Sequence, residues 1–206
     1  MGVTESVVGF DAREAWQPYD SSWDLTRRER FLYRFDLDRP CSIDSAVWPS
    51  VFTALAAPDP PEKFGYQDTW DSVAALEAAT TDLFRRYPLG PFETVAFTLV
   101  EDDTSRASQP DWSGIIPPPT PDRLDPAWRL VGYDVADTWA TSALSNCGFL
   151  PGIDDVAALR RRWAGALNRR HLFAELDEAF AFRDMSDLRL RGEHAPCFVF
   201  GVRIIV

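Results

Sequence analysis

The chain ends on CFVFGVRIIV, residues 197–206, and the reading of this stretch decides the fold. In an extended backbone Phe198, Phe200, Val202 and Ile204 share one side, Val199 and Ile205 the other, and Arg203 is the only charge. A strand that is apolar on both sides has to be covered on both, so the segment predicts a central strand of a packed sheet.

Other elements are read against that strand. Residues 30–37 alternate Phe31, Tyr33, Phe35 and Leu37 with Leu32, Arg34 and Asp36, the period of a half-buried strand. Ser42 or Asp44 is placed to cap a helix reaching about residue 57, which Pro58 and the following prolines stop. Over residues 69–87 Val73, Leu76, Leu83, Phe84 and Tyr87 recur at helical spacing, with Asp68 as the expected N-cap and Arg85 and Arg86 at the negative end of the dipole. Residues 92–101 then return as a strand carrying Val95, Phe97 and Leu99 on one face.

Further along, residues 127–135 read as a strand, and Asp137 as the cap of a short helix to residue 145. Residues 154–170 predict a helix burying Val156, Leu159, Trp163 and Leu167, and residues 171–188 another burying Leu172, Leu176, Phe180 and Met185. The order β-α-α-β-β-α-α-α-β lacks regular βαβ alternation. It predicts a single α+β domain over residues 1–206, with a mostly antiparallel sheet of about four to six strands and helices packed on it.

Composition narrows the class. Of 21 basic residues only Lys63 is a lysine, an arginine preference that suggests a GC-rich bacterial coding sequence, and the net charge is -11. That sign repels phosphate backbones and anionic lipid, so neither nucleic acid nor a membrane is the expected partner. No apolar run approaches the ~18 residues that span a bilayer, and no basic n-region or apolar h-region opens the chain. Three scattered cysteines, Cys41, Cys147 and Cys197, make no disulfide framework. A cytoplasmic protein is the expectation.

Little in the chain points to catalysis. The one nucleophilic constellation is Cys147 with His171 or His194 and an acid such as Asp134 or Asp137, the arrangement of a cysteine-dependent hydrolase. Against it, Cys147 falls at a predicted helix end, where the dipole opposes a thiolate. No metal set is expected: no cysteine or histidine pair has ligand spacing, and Asp102-Asp103 and Asp154-Asp155 lack the glycine and glutamate of a calcium loop. Nor do the glycines form a phosphate cradle, so no cofactor is indicated.

Two features suit binding. Arg160, Arg161 and Arg162, with Arg169, Arg170 and His171 nearby, concentrate positive charge that would hold an anion or simply face solvent on a helix. The stretch 102–126 carries six prolines, with Asp102 and Asp103 at its start and Trp112, Ile115 and Ile116 at its middle. Such a segment is either an interface anchor or a cover folded back over its own sheet.

In size, acidity and lack of a catalytic kit, the chain resembles bacterial immunity proteins in composition. The expectation is a binding protein that covers a basic toxin or effector domain with carboxylates around an aromatic anchor. The alternatives are the Cys147 hydrolase and a structural or adaptor domain; no oligomeric state follows from the sequence.

Overall fold

The computed structural model describes residues 2–15, 41–43, 48, 50, 51, 67, 69–86, 92–102, 116–144, 162–189 and 196–206. Its frame is four strands and two helices: β1 (Val3–Glu14), α1 (Val73–Arg86), β2 (Phe92–Asp102), β3 (Arg129–Ala136), α2 (Leu176–Arg189) and β4 (Phe198–Ile204). The strands form an antiparallel sheet in the order β1-β2-β4-β3, so β4 is inserted between β2 and β3. The fold is α+β, with the C-terminal strand central as its two apolar faces require. The strand read over 30–37 and the helix read from 42 or 44 to 57 lie outside the described residues, apart from 42, 43, 48, 50 and 51 of the latter.

The first described strand, β1, was not foreseen. Its inward positions carry Glu5, Asp11 and Arg13, and the register slips between Val7 and Gly9, so hydrophobic alternation is broken along its length. Register defines the two sheet faces. One carries Val95, Phe97 and Leu99 beside Phe200, Val202 and Ile204, covered by Cys41, Ile43 and Trp48. On the other, Phe10, Ala12 and Ala96 lie under Leu76 of α1, while Val100, Val135 and Val199 lie under Ala179 and Phe182 of α2.

Helix α1 starts later than expected. Thr69 and Trp70 are extended, and Trp70 exchanges backbone bonds with Phe10 at 2.8 and 2.9 Å. A Cβ on Gly9 would overlap the Thr69 side chain, which is why glycine sits there. The cap is Ser72, whose Oγ accepts the Ala75 N–H at 3.3 Å, in place of the expected Asp68, which lies outside the described residues. Asp122 adds its carboxylate, accepting the Val73 N–H at 2.9 Å at the positive end of the dipole.

Three other expectations are corrected. Residues 137–144 form a turn and not a helix, because Asp137 Oδ1 accepts both the Trp139 and Thr141 N–H groups at 2.9 Å and Ala140 adopts φ +58°. The helix expected to reach residue 170 ends at Ala164. Asn168 Oδ1 takes the Arg170 and Leu172 N–H groups at 2.8 and 3.4 Å, offering the backbone a turn in place of another helical bond. Phe173 then pairs with Tyr133 on the outer edge of β3, so α2 begins only at Leu176.

The third concerns phase. Helix α2 buries Ala179, Phe182, Arg183 and Ser186, with Leu176, Phe180 and Met185 at the margins of the stripe. A hydrophobic count misses this, since two of the four inward residues are polar. Trp163 does belong to the core, 1% exposed, meeting Phe173 and Phe182 edge-on at 6.0 and 5.2 Å. Trp163→Ala is expected to cost about 3–5 kcal/mol in denaturant unfolding, and Arg162→Ala, at an exposed site, under about 0.5 kcal/mol. A larger loss for the arginine would invert this assignment.

Candidate functional site

Asp134 lies in register with Phe200 on the face covered by Cys41 and Ile43, and it is fully buried. A carboxylate there must be satisfied from the chain that covers it. Oδ2 accepts the Ser42 hydroxyl at 2.6 Å and the Ile43 N–H at 3.2 Å, and Oδ1 accepts the Ser142 hydroxyl at 2.8 Å and the Val135 N–H at 2.9 Å. Arg13 clamps the same segment from β1, donating to the Ser42 and Ile43 carbonyls at 2.7 and 3.3 Å while its Nε meets Asp11 at 2.9 Å. These bonds give Asp134 a clamping role.

Arg170 completes the arrangement. Its guanidinium forks onto Glu93 with two bonds of 2.8 Å and reaches Cys41 Sγ at 3.7 Å. Burial opposes the Arg170 charge, but the bonds and charge of Glu93 together with Cys41 outweigh it and raise its pKa. Burial likewise pushes the Cys41 thiol up to about 12, against the smaller pull of Arg170. Cys41 is therefore an inert, packed thiol at neutral pH.

Of the candidate nucleophilic set, Cys147 and His194 lie outside the described residues. His171 is 2% exposed in a left-handed turn at φ +62°. Among the basic residues, Arg160 and Arg161 lie outside the description, Arg162 is exposed with its guanidinium 4.6 Å from the Trp163 ring centre, and Arg170 is committed to Glu93. Of the loop residues, Asp103, Trp112 and Ile115 lie outside as well. Ile116 is half-buried beside the core, and the following stretch braces the sheet, the Thr120 N–H donating to the Val7 carbonyl at 2.7 Å. Over residues 116–126 the segment runs from the β1 edge to the start of α1, with Ile116 and Leu124 partly buried against the core.

Asp102 leads to a surface that sequence reasoning missed. The register pairs Val3 with Asp102, Val100 with Val199 and Ala136 with Phe198, so the starts of β1 and β4 and the ends of β2 and β3 share one end of the sheet. The last turns of α2 arrive there too: Arg183 lies 3.6 Å from Asp102 and 2.7 Å from Asp184, and Asp187 accepts the Cys197 N–H at 2.6 Å. Asp102 and Asp184 thus flank Arg183, Asp187 follows one turn along α2, and Glu101 lies beside Asp102 on the opposite face of the sheet. Val3, Trp139 and Leu188, exposed by 48%, 72% and 67%, stand at the same end.

Four strands span roughly 15 Å, a width that fits inside one side of an ordinary protein interface. This end of the sheet therefore carries exposed apolar side chains at both of its edges and acidic side chains on β2 and α2 between them. No signal in the local sequence shows it, since its side chains come from four separated segments. Of its members only Asp102, read as the start of the proline-rich stretch, was named for binding in the sequence. Comparison with protein-family models, curated proteins and solved structures finds no match.

Two outcomes test the buried arrangement. Asp134→Ala, which strips the partner from Ser42, Ser142 and the Ile43 N–H together, is expected to lower stability by about 3–5 kcal/mol in denaturant titration. In the native protein Cys41 should alkylate roughly a thousandfold more slowly than an ordinary exposed thiol at pH 8, because so little thiolate forms. The stability gained by keeping the thiol neutral should be complete below the pKa of the unfolded thiol. It is lost as pH climbs towards about 12, a decline that Cys41→Ala should blunt.

Proposed function

We propose that this chain is a protein-binding inhibitor of the immunity-protein kind, which neutralises a basic toxin or effector domain by covering it with an acidic surface. The observation that carries this reading is the meeting of three exposed apolar side chains and four carboxylates at one end of the sheet. A net charge of -11 supplies the long-range attraction to a cationic partner. Apolar anchors supply the short-range burial that holds it. The partner is a basic protein, and the complex forms in the cytoplasm before the toxin domain can act.

The structure's arginines favour this reading. Arg13, Arg170, Arg183 and Arg203 are each bonded to a carboxylate of the same chain, so the described buried cations are matched inside. The surplus of acids is then left to the surface, where it can steer association.

The test is co-production with the product of an adjacent toxin-like reading frame, followed by stopped-flow mixing of the two purified proteins. Rescue of growth is expected, and the association rate should fall roughly tenfold or more as salt rises from ~0.02 to ~0.5 M, while dissociation changes far less. A rate indifferent to salt would remove the acidic surface from the account.

A further inference from the structure

The turn that follows β3 is built with more hydrogen bonds than its length requires, and none of them uses the side chain at its tip. Asp137 Oδ1 fixes the Trp139 and Thr141 N–H groups at 2.9 Å, and the Asp137 carbonyl accepts the Ala140 N–H at 3.0 Å. The Asp137 N–H closes the turn onto the Thr141 carbonyl at 3.1 Å. From outside, Gln67 Nε2 donates to the Thr138 carbonyl at 2.9 Å. Two non-glycine residues accept left-handed backbone to make this possible, Ala140 at φ +58° and Gln67 at φ +47°.

Ala140 is buried at 4% exposure with its methyl in the core, while its neighbour Trp139 is 72% exposed. The fold therefore needs Asp137 and the left-handed position at Ala140, but it needs no particular side chain at position 139. An indole is the least economical choice for a residue left in water. Held on a rigid tip, it loses little freedom when a partner covers it.

We propose that Trp139 is the anchor of the interface and that its occupant is an arginine of the basic partner, drawn in by the chain's net charge of -11 and stacked on the indole face. This rests on the reading of the chain as a binder of a basic protein. Arginine fits the site better than lysine, because its planar, weakly hydrated guanidinium lies flat on an aromatic ring. The chain uses the same chemistry internally, with Arg13 at 5.4 Å from the Trp48 ring centre, Arg162 at 4.6 Å from Trp163 and Arg183 at 4.6 Å from Phe180. At Trp139 the ring is presented outward, and the net charge of -11 disfavours supply of the cation by a second copy of the chain.

The probes are a hexa-arginine and a hexa-lysine peptide, titrated at about 0.1 M salt into the full chain and into Trp139→Ala and Trp139→Phe, with indole resonances and calorimetry as readouts. Hexa-arginine should bind more tightly than hexa-lysine and shift the Trp139 indole signal. Trp139→Ala should weaken hexa-arginine roughly tenfold, and Trp139→Phe by less, at unchanged melting temperature because the side chain is exposed. Equal binding of hexa-arginine by the full chain and Trp139→Ala would overturn the anchor and leave the basic-partner reading standing. Absence of binding by both peptides would overturn that reading itself. Self-association of the chain that Trp139→Ala abolishes would name a second copy as the occupant instead, and would also overturn the proposal.

Discussion

A carboxylate in the middle of an apolar sheet face is tolerated only if the chain that covers it brings hydrogen bonds, and Asp134 sets that condition here. Its two oxygens draw in Ser42 and the Ile43 N–H from one side and Ser142 from the other. The first pair pins a segment remote in sequence, so that Cys41 and Ile43 can cover Phe97, Phe200 and Val202. The second fixes the returning limb of the 137–142 turn, which is the limb that decides where Trp139 points. One buried acid thus couples the cover of the core to the geometry of the exposed tip. Replacing it by an apolar residue would keep the volume but lose both attachments, which is the sense in which a buried polar group specifies a structure more than it stabilises it.

The edges of the sheet explain why any interface is sought at its end. An unpaired edge strand invites another chain to add to it. On β1 that edge meets Trp70 through Phe10, Ser50 through Arg13, and the Thr120 N–H through Val7. On β3 it meets Phe173 through Tyr133 and Ser142 through Ala136, with Asn168 Nδ2 donating to the Val131 carbonyl at 2.8 Å. Gly132 lies within that bonded stretch at φ +146°, where a Cβ would press on Leu172 and Asn168, so the close approach of the cover depends on glycine. Among the described residues both edges are engaged and both faces packed, which turns attention to the termini of the strands.

Sequence was most legible where one rule acted alone. Residues 197–206 are apolar on both sides, and only a central position satisfies them, so the place of β4 followed from pattern. Strand β2 was legible from its alternation, and in α1 Val73 and Leu76 of the expected stripe pack inward, while the side chains of Leu83, Phe84 and Tyr87 lie outside the description. Legibility failed where polar groups point inward: Asp11 and Arg13 are each 1% exposed in β1, and Arg183 and Ser186 replace apolar residues in the stripe of α2. It also failed where side chains compete with the backbone, as Asp137 and Asn168 do, because an Asx turn and a helix cap begin from the same residue types. The candidate surface was illegible for a third reason. Val3, Asp102, Trp139, Asp184 and Leu188 are assembled by strand register, which no local window contains.

The charge balance links the interior to that surface. A chain with 32 acids and 21 basic residues has few cations to distribute, and four of the described ones, Arg13, Arg170, Arg183 and Arg203, go to pairs within the chain. Arg203 illustrates the pattern, forked onto Glu5 with bonds of 2.8 Å, while the Thr98 hydroxyl adds 2.6 Å to the same carboxylate. Burial, with Glu5 adding to it, raises the pKa of the neighbouring Tyr133 phenol, which keeps that patch free of a further negative charge. With 32 acids against 21 basic residues, such matching still leaves the chain a net charge of -11. Self-repulsion among the excess acids costs stability. A sequence that retains this cost, and also holds an indole in water on a braced turn, keeps two unfavourable features, which the cationic partner proposed above would relieve together.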